Sequence, residues 1–501
     1  MNSRQQIKLG AVLSYFAILV NIATGILYTP WMIRCIGREE FGLYTLAMSV
    51  ISLFVFDFGL SSAVTRYISK YLAKGEEEKA NNFLGLVYKL YLGIDVFLFV
   101  VLVGVYLYIP QIYKELTPDE IEKFKIVYAM AACYSVFSFP FIPVNGVLTS
   151  YEKFIQLRLC DVFHKLVIVI TMSVCLLLGY GLYALVMVNA LSGVLTIVAK
   201  LYCIKRYTKS KVNLSYSSKS ELKGIASYSG WVTMKSLSQR CIMNVAPSIL
   251  GMLSGSAEIA VLGIAITLEA YTFTFSNAIN GMFLPKVSRN IANNVDIMPL
   301  MIKIGRIQII VIGLIVTGFV LFGNEFIHLW VGDKFKDSYM CAVLMIIPSF
   351  FHLPQEIAHQ TVYAMNKVKI EAKVFILMAV VNIAGAFFFA PRFGATGIGM
   401  SICFAYFLRT IGMDIIYYRQ MKLDILSFFS KSYIPFLLPL IPVLCIGILI
   451  DLFFPIHGWI GLFIQVVLYS IVYCLIVYSI FMNKSERNLI LSPINKVTKN
   501  Q

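Results

Sequence analysis

Residues 230–251 read GWVTMKSLSQRCIMNVAPSILG, an apolar run that carries Lys235 and Arg240 near its middle. About 20 helical residues at 1.5 Å each cross the ~30 Å hydrocarbon layer, so the stretch is long enough to span a membrane. A central cation costs about 2.5–3.5 kcal/mol on insertion scales, because lipid offers it no partner. Arg240 is therefore expected to face a protein interior or a wet cavity. Thr233, Ser236, Arg240 and Asn244 are spaced three, four and four apart, which predicts one polar stripe along the helix. A thinner stripe of Ser14, Asn21, Thr24 and Tyr28 lies near the start of the chain.

Similar apolar windows recur throughout. The chain has 501 residues, of which 59% are hydrophobic and 14% charged. Its mean hydropathy of +0.79 lies outside the range of soluble domains of this length. Fourteen windows run over 9–33, 41–64, 83–109, 124–149, 159–179, 182–203, 225–251, 257–283, 304–323, 339–365, 372–390, 394–417, 433–453 and 459–482. The expected fold is thus an all-α membrane protein of about 14 transmembrane helices. No small-residue cleavage site follows the first window, so it is expected to remain as a helix. The ten cysteines are scattered without a C-x-x-C pair and read as buried thiols.

Lys and Arg are retained on the cytoplasmic side of membrane proteins. With the N-terminus inside, and residues at the ends of spans counted with the adjoining segment, 29 of the 42 Lys and Arg are cytoplasmic and 8 lie outside. The other five, Lys89, Lys165, Lys235, Arg240 and Arg409, fall within spans. Both termini are expected in the cytoplasm. The net charge of +16 is then mostly an orientation signal and not a nucleic-acid surface.

The chain also repeats itself. Pro30, Gly37 and Glu40 recur as Pro247, Gly255 and Glu258, at offsets of 217, 218 and 218. Pro140 and Lys153 recur 214 residues later as Pro354 and Lys367, and Gly181, Arg206 and Lys209 recur 213 residues later as Gly394, Arg419 and Lys422. Four ordered landmarks at a near-constant offset indicate two copies of six helices. Six is even, so both copies enter from the same side and are related by a pseudo-two-fold axis along the membrane normal. The expected divisions are 1–210, 211–424 and a C-terminal appendage of two helices and a tail, 425–501. Transporters built this way place a site between the halves near the bilayer midplane.

Several charged residues have two readings. Arg240 either lines a cavity or pairs statically with Asp95; Lys235 either lines a cavity or snorkels, and Arg409 is equally open. Lys89 is expected to snorkel, and Asp161 to pair with Lys165 four residues on. Arg34 and Arg66 flank the first two spans as interface anchors or gate contacts. Asp57, Asp95 and Glu356 are the deepest acids and hence candidates for coupling to an ion gradient. His352, Glu356 and His359 share a helix face but lack a second ligand motif, so no metal is assigned; packing with hydrogen bonds, a polar contact or a proton relay are the readings left. The chain has no phosphate-binding G-x-x-x-x-G-K-[ST] loop and no large outer loop with paired carboxylates. No enzyme activity and no cofactor are expected.

Residues 29–71, TPWMIRCIGREEFGLYTLAMSVISLFVFDFGLSSAVTRYISKY, resemble the N-terminal signature of Wzx-like oligosaccharide flippases. Arg34, Gly37, Phe41, Gly42, Tyr44, Asp57, Gly59, Leu60 and Arg66 carry the likeness. That superfamily also contains multidrug exporters of the MATE type and lipid II flippases. The resemblance implies two six-helix bundles around a cationic cavity in a bacterial inner membrane. It implies movement of a polyprenyl-diphosphate-linked oligosaccharide from the cytoplasmic to the outer leaflet, with membrane lipid, a polysaccharide polymerase and a chain-length regulator as partners. Arg240, Lys235, Ser236, Asn244, Asn21, Arg66, Arg34 and Arg409 are the candidates for holding such a headgroup. A cation-coupled exporter of small amphipathic molecules is the second reading, and a membrane-embedded transferase acting on lipid-linked sugars the third.

Overall fold

The computed structural model describes residues 22–280, 284–365, 367–453, 458–484 and 486–487. The described residues are helical or in short connections, with no strand among them. They form α1 (22–36), α2 (Arg38–Phe54), α3 (Leu60–Ala73), α4 (Glu77–Ile112), α5 (Pro118–Ser138), α6 (Pro143–Ser150), α7 (Phe154–Leu177), α8 (Leu182–Tyr207), α9 (Lys219–Leu253) and α10 (Ser256–Asn280). There follow α11 (Leu284–Ala292), α12 (Met298–Val331), α13 (Asp337–Ile346), α14 (Ser349–His352), α15 (Glu356–Ala364), α16 (Val368–Met421), α17 (Ile425–Ser432), α18 (Ile434–Phe453) and α19 (Trp459–Ile476).

Ten helical stretches among the described residues are long and apolar enough to cross a membrane. One of them, α16, is two helices joined across Gly394, whose φ of 54° and ψ of −133° are not helical. The first expected span falls partly outside the described residues. The second is broken after Phe54, where Asp57, Phe58 and Gly59 interrupt the helix. The seventh is helical throughout as part of α9, but its charges hold its hydropathy down.

The sequence landmarks reappear as matching backbone features. Pro140 sits in a 3-10 turn at Phe139–Phe141, and Pro354 in another at Leu353–Gln355. A proline lacks the N–H that continues a helix and clashes with the preceding turn, so each fourth span is interrupted at the same place. Gly37 and Gly255 both have left-handed φ values, 89° and 85°, and each makes the turn into the next helix. Beyond those turns, Glu258 accepts a hydrogen bond from the Ala395 amide at 2.8 Å, at the start of the second half of α16. Its counterpart Glu40 reaches to within 3.5 Å of the Cβ position of Gly181, at the start of α8.

Contacts group the chain into two compact units: residues 1–263 with 375–398, and residues 264–374 with 399–501. This grouping crosses the expected division near residue 210, because α9 packs on α2 and α3. In the first unit a buried core of Leu60, Val64, Phe83, Val87, Tyr91, Leu98, Phe139 and Val147 joins α3, α4 and α6. In the second, Tyr469 donates to the Thr317 hydroxyl at 2.6 Å and Tyr473 to the Ile310 carbonyl at 2.7 Å, tying α19 to α12. Lipid tails are as apolar as leucine, so packing and interhelical hydrogen bonds of about 0.6 kcal/mol each hold such helices together.

One expected contact is corrected. Asp161 pairs with Lys200 at 2.9 Å and Arg158 at 3.3 Å, not with Lys165. Lys200 approaches from α8, which sequence spacing along α7 does not show. Lys89 is exposed, and its Nζ reaches to the connection after α8, where it donates to the Tyr216 carbonyl at 2.9 Å. That bond belongs to a set that sutures the connection after α8 to the start of α4. The Lys211 amide donates to the Asn81 side chain at 2.8 Å, the Asn213 amide to the Asn81 carbonyl at 3.3 Å, and the Asn213 side chain to Asn82 at 2.7 Å.

Candidate functional site

The polar stripe of α9 lies against the break after α2. A helix leaves its last four carbonyls without intrahelical partners and presents the negative end of its dipole there. Because α2 stops at Phe54, the Ser52 carbonyl is one of these, and Arg240 Nη1 donates to it at 2.8 Å. Thr233 Oγ1 donates to the Phe58 carbonyl at 2.8 Å, inside the break itself. The guanidinium stands 5.1 Å from the ring centroid of Phe56, which stacks on Phe58 at 4.3 Å. A cation over a desolvated ring gains up to about 2 kcal/mol.

Among the described residues no carboxylate lies within ion-pair distance of Arg240, and one protein hydrogen bond engages a group with five N–H donors. The static pair with Asp95 is absent. Asp95 stands on α4 with Oδ1 buried and no hydrogen-bond partner among the described residues. Asp57 acts on Arg240 electrostatically, but its Oδ1 accepts from the Leu60 amide at 3.0 Å, the Ser61 amide at 3.1 Å and the Tyr91 hydroxyl at 2.9 Å. It therefore caps the first turn of α3.

Lys235 lies one and a half turns before Arg240 on α9, half-buried, with its ammonium 5.1 Å from the Phe375 ring centroid. Ser236 and Asn244 are half-buried on the same helix, and Arg34 and Arg66 are exposed. Asn21, with Ser14 of the thinner stripe, lies outside the described residues.

Arg409 and Glu356 belong to a different group, in the second unit. Arg409 is half-buried beside the Tyr406 ring, 5.9 Å from its centroid, and acts electrostatically on Glu356. His352, Glu356 and His359 were expected on one helix face, but the 3-10 turn at Leu353–Gln355 puts His352 on α14 and the other two on α15, and they do not converge as ligands: His352 stacks on Tyr406 and turns Nδ1 to the Pro348 carbonyl at 3.0 Å. His359 instead bridges Glu356 and Glu371. Glu371 is fully buried, as is Glu269 in α10, and the sequence reading marked neither. Glu371 stood at the edge of a span and Glu269 within one; an acid inside an apolar window is the signal that finds the second.

The first unit thus presents a guanidinium with spare donors beside an aromatic pair, a group suited to oxyanions. Residues 10–291, more than half of the chain, match the family described as polysaccharide biosynthesis protein. The chain belongs to that family. A Shigella flexneri protein assigned by name to O-antigen transport is 21% identical over 404 residues, covering 78% of this chain and 92% of the relative. Among solved structures, a lipid II flippase, MurJ, in an inward closed conformation superposes with a TM-score of 0.71 at 13% identity, over 97% of this chain and 99% of that one. An inward-facing multidrug resistance MATE family transporter of the MOP superfamily gives 0.64 at 15% identity, over 84% and 99%. The fold is that of these transporters, and the likeness of residues 29–71 to Wzx-like flippases agrees with the family. The chain is a multi-pass membrane transporter of the polysaccharide-biosynthesis type.

Proposed function

We propose that the protein is a flippase that carries a polyprenyl-diphosphate-linked oligosaccharide from the cytoplasmic to the outer leaflet by alternating access. The carrying observation is Arg240: a guanidinium in a membrane-spanning helix, anchored by one carbonyl and one ring, without a carboxylate at ion-pair distance among the described residues. Such a substrate cannot cross hydrocarbon unaided, since its phosphate charges and hydroxyls would lose their water. Arginine replaces that water for phosphate oxygens with paired, charge-assisted hydrogen bonds.

In this reading Arg240 and Lys235 hold the diphosphate, and Ser236 and Asn244 extend the polar surface toward the sugars. Arg34, Arg66, Arg409 and Asn21 remain candidates for later contacts along the path. The two six-helix copies, related about an axis along the membrane normal, alternate their opening, with both termini in the cytoplasm. A polymerase and a chain-length regulator would take over the product. The name of the Shigella flexneri relative and that of the MurJ structure support this substrate class. A cation-coupled exporter is supported less well, because Asp57 is committed to the start of α3.

The test is Arg240→Ala in a host whose own copy is deleted. Surface polysaccharide is expected to vanish while the variant remains in the membrane at normal abundance; wild-type polymer levels would overturn the assignment.

A further inference from the structure

The outer faces of α4 and α5, two helices long and apolar enough to cross the membrane, are not smooth. Between them lies a trough of about 430 Å³ within the first unit, to which α9 and Arg240 contribute nothing. Its floor is Leu102 and Tyr128, both buried, and the Tyr128 hydroxyl donates to the Leu102 carbonyl at 3.1 Å, fastening one helix to the other. Beside the floor α5 carries Ala129, Ala132 and Cys133, three small side chains on one face of the helix. Phe99 and Phe137 stand up at one end and Tyr106 at the other, all three exposed. Small residues between aromatic rings leave the hollow.

Its length and depth point to what fills it. From Tyr106 back to Phe99 is about 10 Å of α4, and from Tyr128 to Phe137 about 14 Å of α5, at 1.5 Å per residue. One leaflet contributes about 15 Å, half of the ~30 Å hydrocarbon layer. Tyr106 precedes the end of α4 at Ile112, and Lys125 follows the start of α5 at Pro118, each by about 10 Å of helix. The end with Tyr106 and Lys125 is therefore the one nearer the membrane surface, and the phenylalanine end is nearer the midplane. Water finds too few polar partners in such a hollow to occupy it. Left empty, the lining would forfeit its dispersion contacts, so hydrocarbon fills it.

The charge at the surface end selects among lipids. Lys125 is half-buried, with Nζ 5.8 Å from the Tyr106 ring centroid, and no carboxylate lies within ion-pair distance of it among the described residues. Its neighbour Lys123 differs: it pairs with Glu40 at 3.1 Å and Asp119 at 3.2 Å. An ammonium whose stem runs along an interfacial ring toward the surface is placed to meet an anionic headgroup.

We propose that the trough between α4 and α5 binds one anionic glycerophospholipid, with an acyl chain over Ala129, Ala132 and Cys133 and the phosphate at Lys125. This lipid is a resident of the fold and not the transported one, so the site stands or falls independently of the function proposed above. Binding makes and breaks no covalent bond.

The test is native mass spectrometry of the purified full-length chain, released from micelles that hold dioleoyl phosphatidylglycerol and dioleoyl phosphatidylcholine in equal amounts. The wild type is expected to retain one phosphatidylglycerol at several-fold higher occupancy than phosphatidylcholine. Ala132→Leu fills the trough with a side chain suited to a lipid-facing helix and should lower the occupancy of both lipids several-fold. Ala129→Leu repeats the experiment one turn away should the first variant fail to fold. Lys125→Gln should keep a bound lipid but lose the preference between the two headgroups. Wild type without a retained lipid, or retention unchanged in the filled trough, overturns the site. A preference that survives Lys125→Gln overturns the placement of the phosphate. Undecaprenyl phosphate, added as a competitor, should displace little of the phosphatidylglycerol; complete displacement at equal concentration would overturn the glycerophospholipid as occupant.

Discussion

Arg240 and Arg306 are both arginines in helices of a membrane protein, and their surroundings differ in how fully each guanidinium is engaged. Arg306, on α12, makes four hydrogen bonds with its five N–H donors. Its Nε donates to Glu486 Oε1 at 2.6 Å, its Nη2 to Glu486 Oε2 at 3.0 Å and the Phe481 carbonyl at 2.6 Å, and its Nη1 to the Lys431 carbonyl at 2.9 Å. The Phe481 ring lies 4.0 Å from the guanidinium, and the two side chains of the ion pair are 9% and 4% exposed. Arg240 has one carbonyl and one more distant ring. A guanidinium engaged in this way has little left to offer a ligand, whereas one with several spare donors can still bind an oxyanion.

This contrast can be broken most directly at Arg306. Arg306→Ala strands the Glu486 carboxylate in a buried site and is expected to destabilise the fold by about 3–5 kcal/mol, read as reduced resistance to SDS unfolding in mixed micelles. If the pair serves only the architecture, replacing both partners with apolar residues, as in Arg306→Met with Glu486→Leu, should recover most of that loss and leave transport intact. Transport lost in a stable double variant would place Arg306 on the path and dissolve the distinction.

A smaller effect is expected at Gly394. An added Cβ there would clash with Glu258 Oε2 on a backbone with φ of 54°, so Gly394→Ala should cost about 1–3 kcal/mol in the same unfolding assay. The smallest change in stability belongs to Arg240 itself. Arg240→Gln keeps a donor for the Ser52 carbonyl and removes an incompletely paired cation, so its stability should lie within about 1 kcal/mol of wild type while polysaccharide export is lost. A large loss of stability would assign Arg240 to the architecture after all.

Arg240 was legible in the sequence and Arg306 was not, for a physical reason. Arg240 interrupts the middle of an apolar window and shares a three-four spacing with other polar residues, both of which are local signals. Arg306 stands near the end of a window, where a cation reads as cytoplasmic flank, and its partner Glu486 is 180 residues away. The paired proline and glycine landmarks were legible for a similar reason. Pro140 with Pro354, and Gly37 with Gly255, impose the same backbone wherever they stand, and they do so here. Asp57 was picked out as a candidate for ion coupling, and its bonds to the first turn of α3 depend on a helix break that periodicity did not announce. Glu371 and Lys200 acquire their meaning only from a partner on another helix.

The stitching of Lys211 and Asn213 onto Asn81 and Asn82, with Lys89 holding Tyr216, leaves the passage from α8 to α9 without slack. A loose tether of similar length would let its ends wander over distances set by the square root of its residue count. Here the connection is pinned to the rim of α4, so any free length before α9 begins only after Tyr216. Whatever displacement a working cycle demands must be taken up in the few residues before α9 or by bending α9 itself.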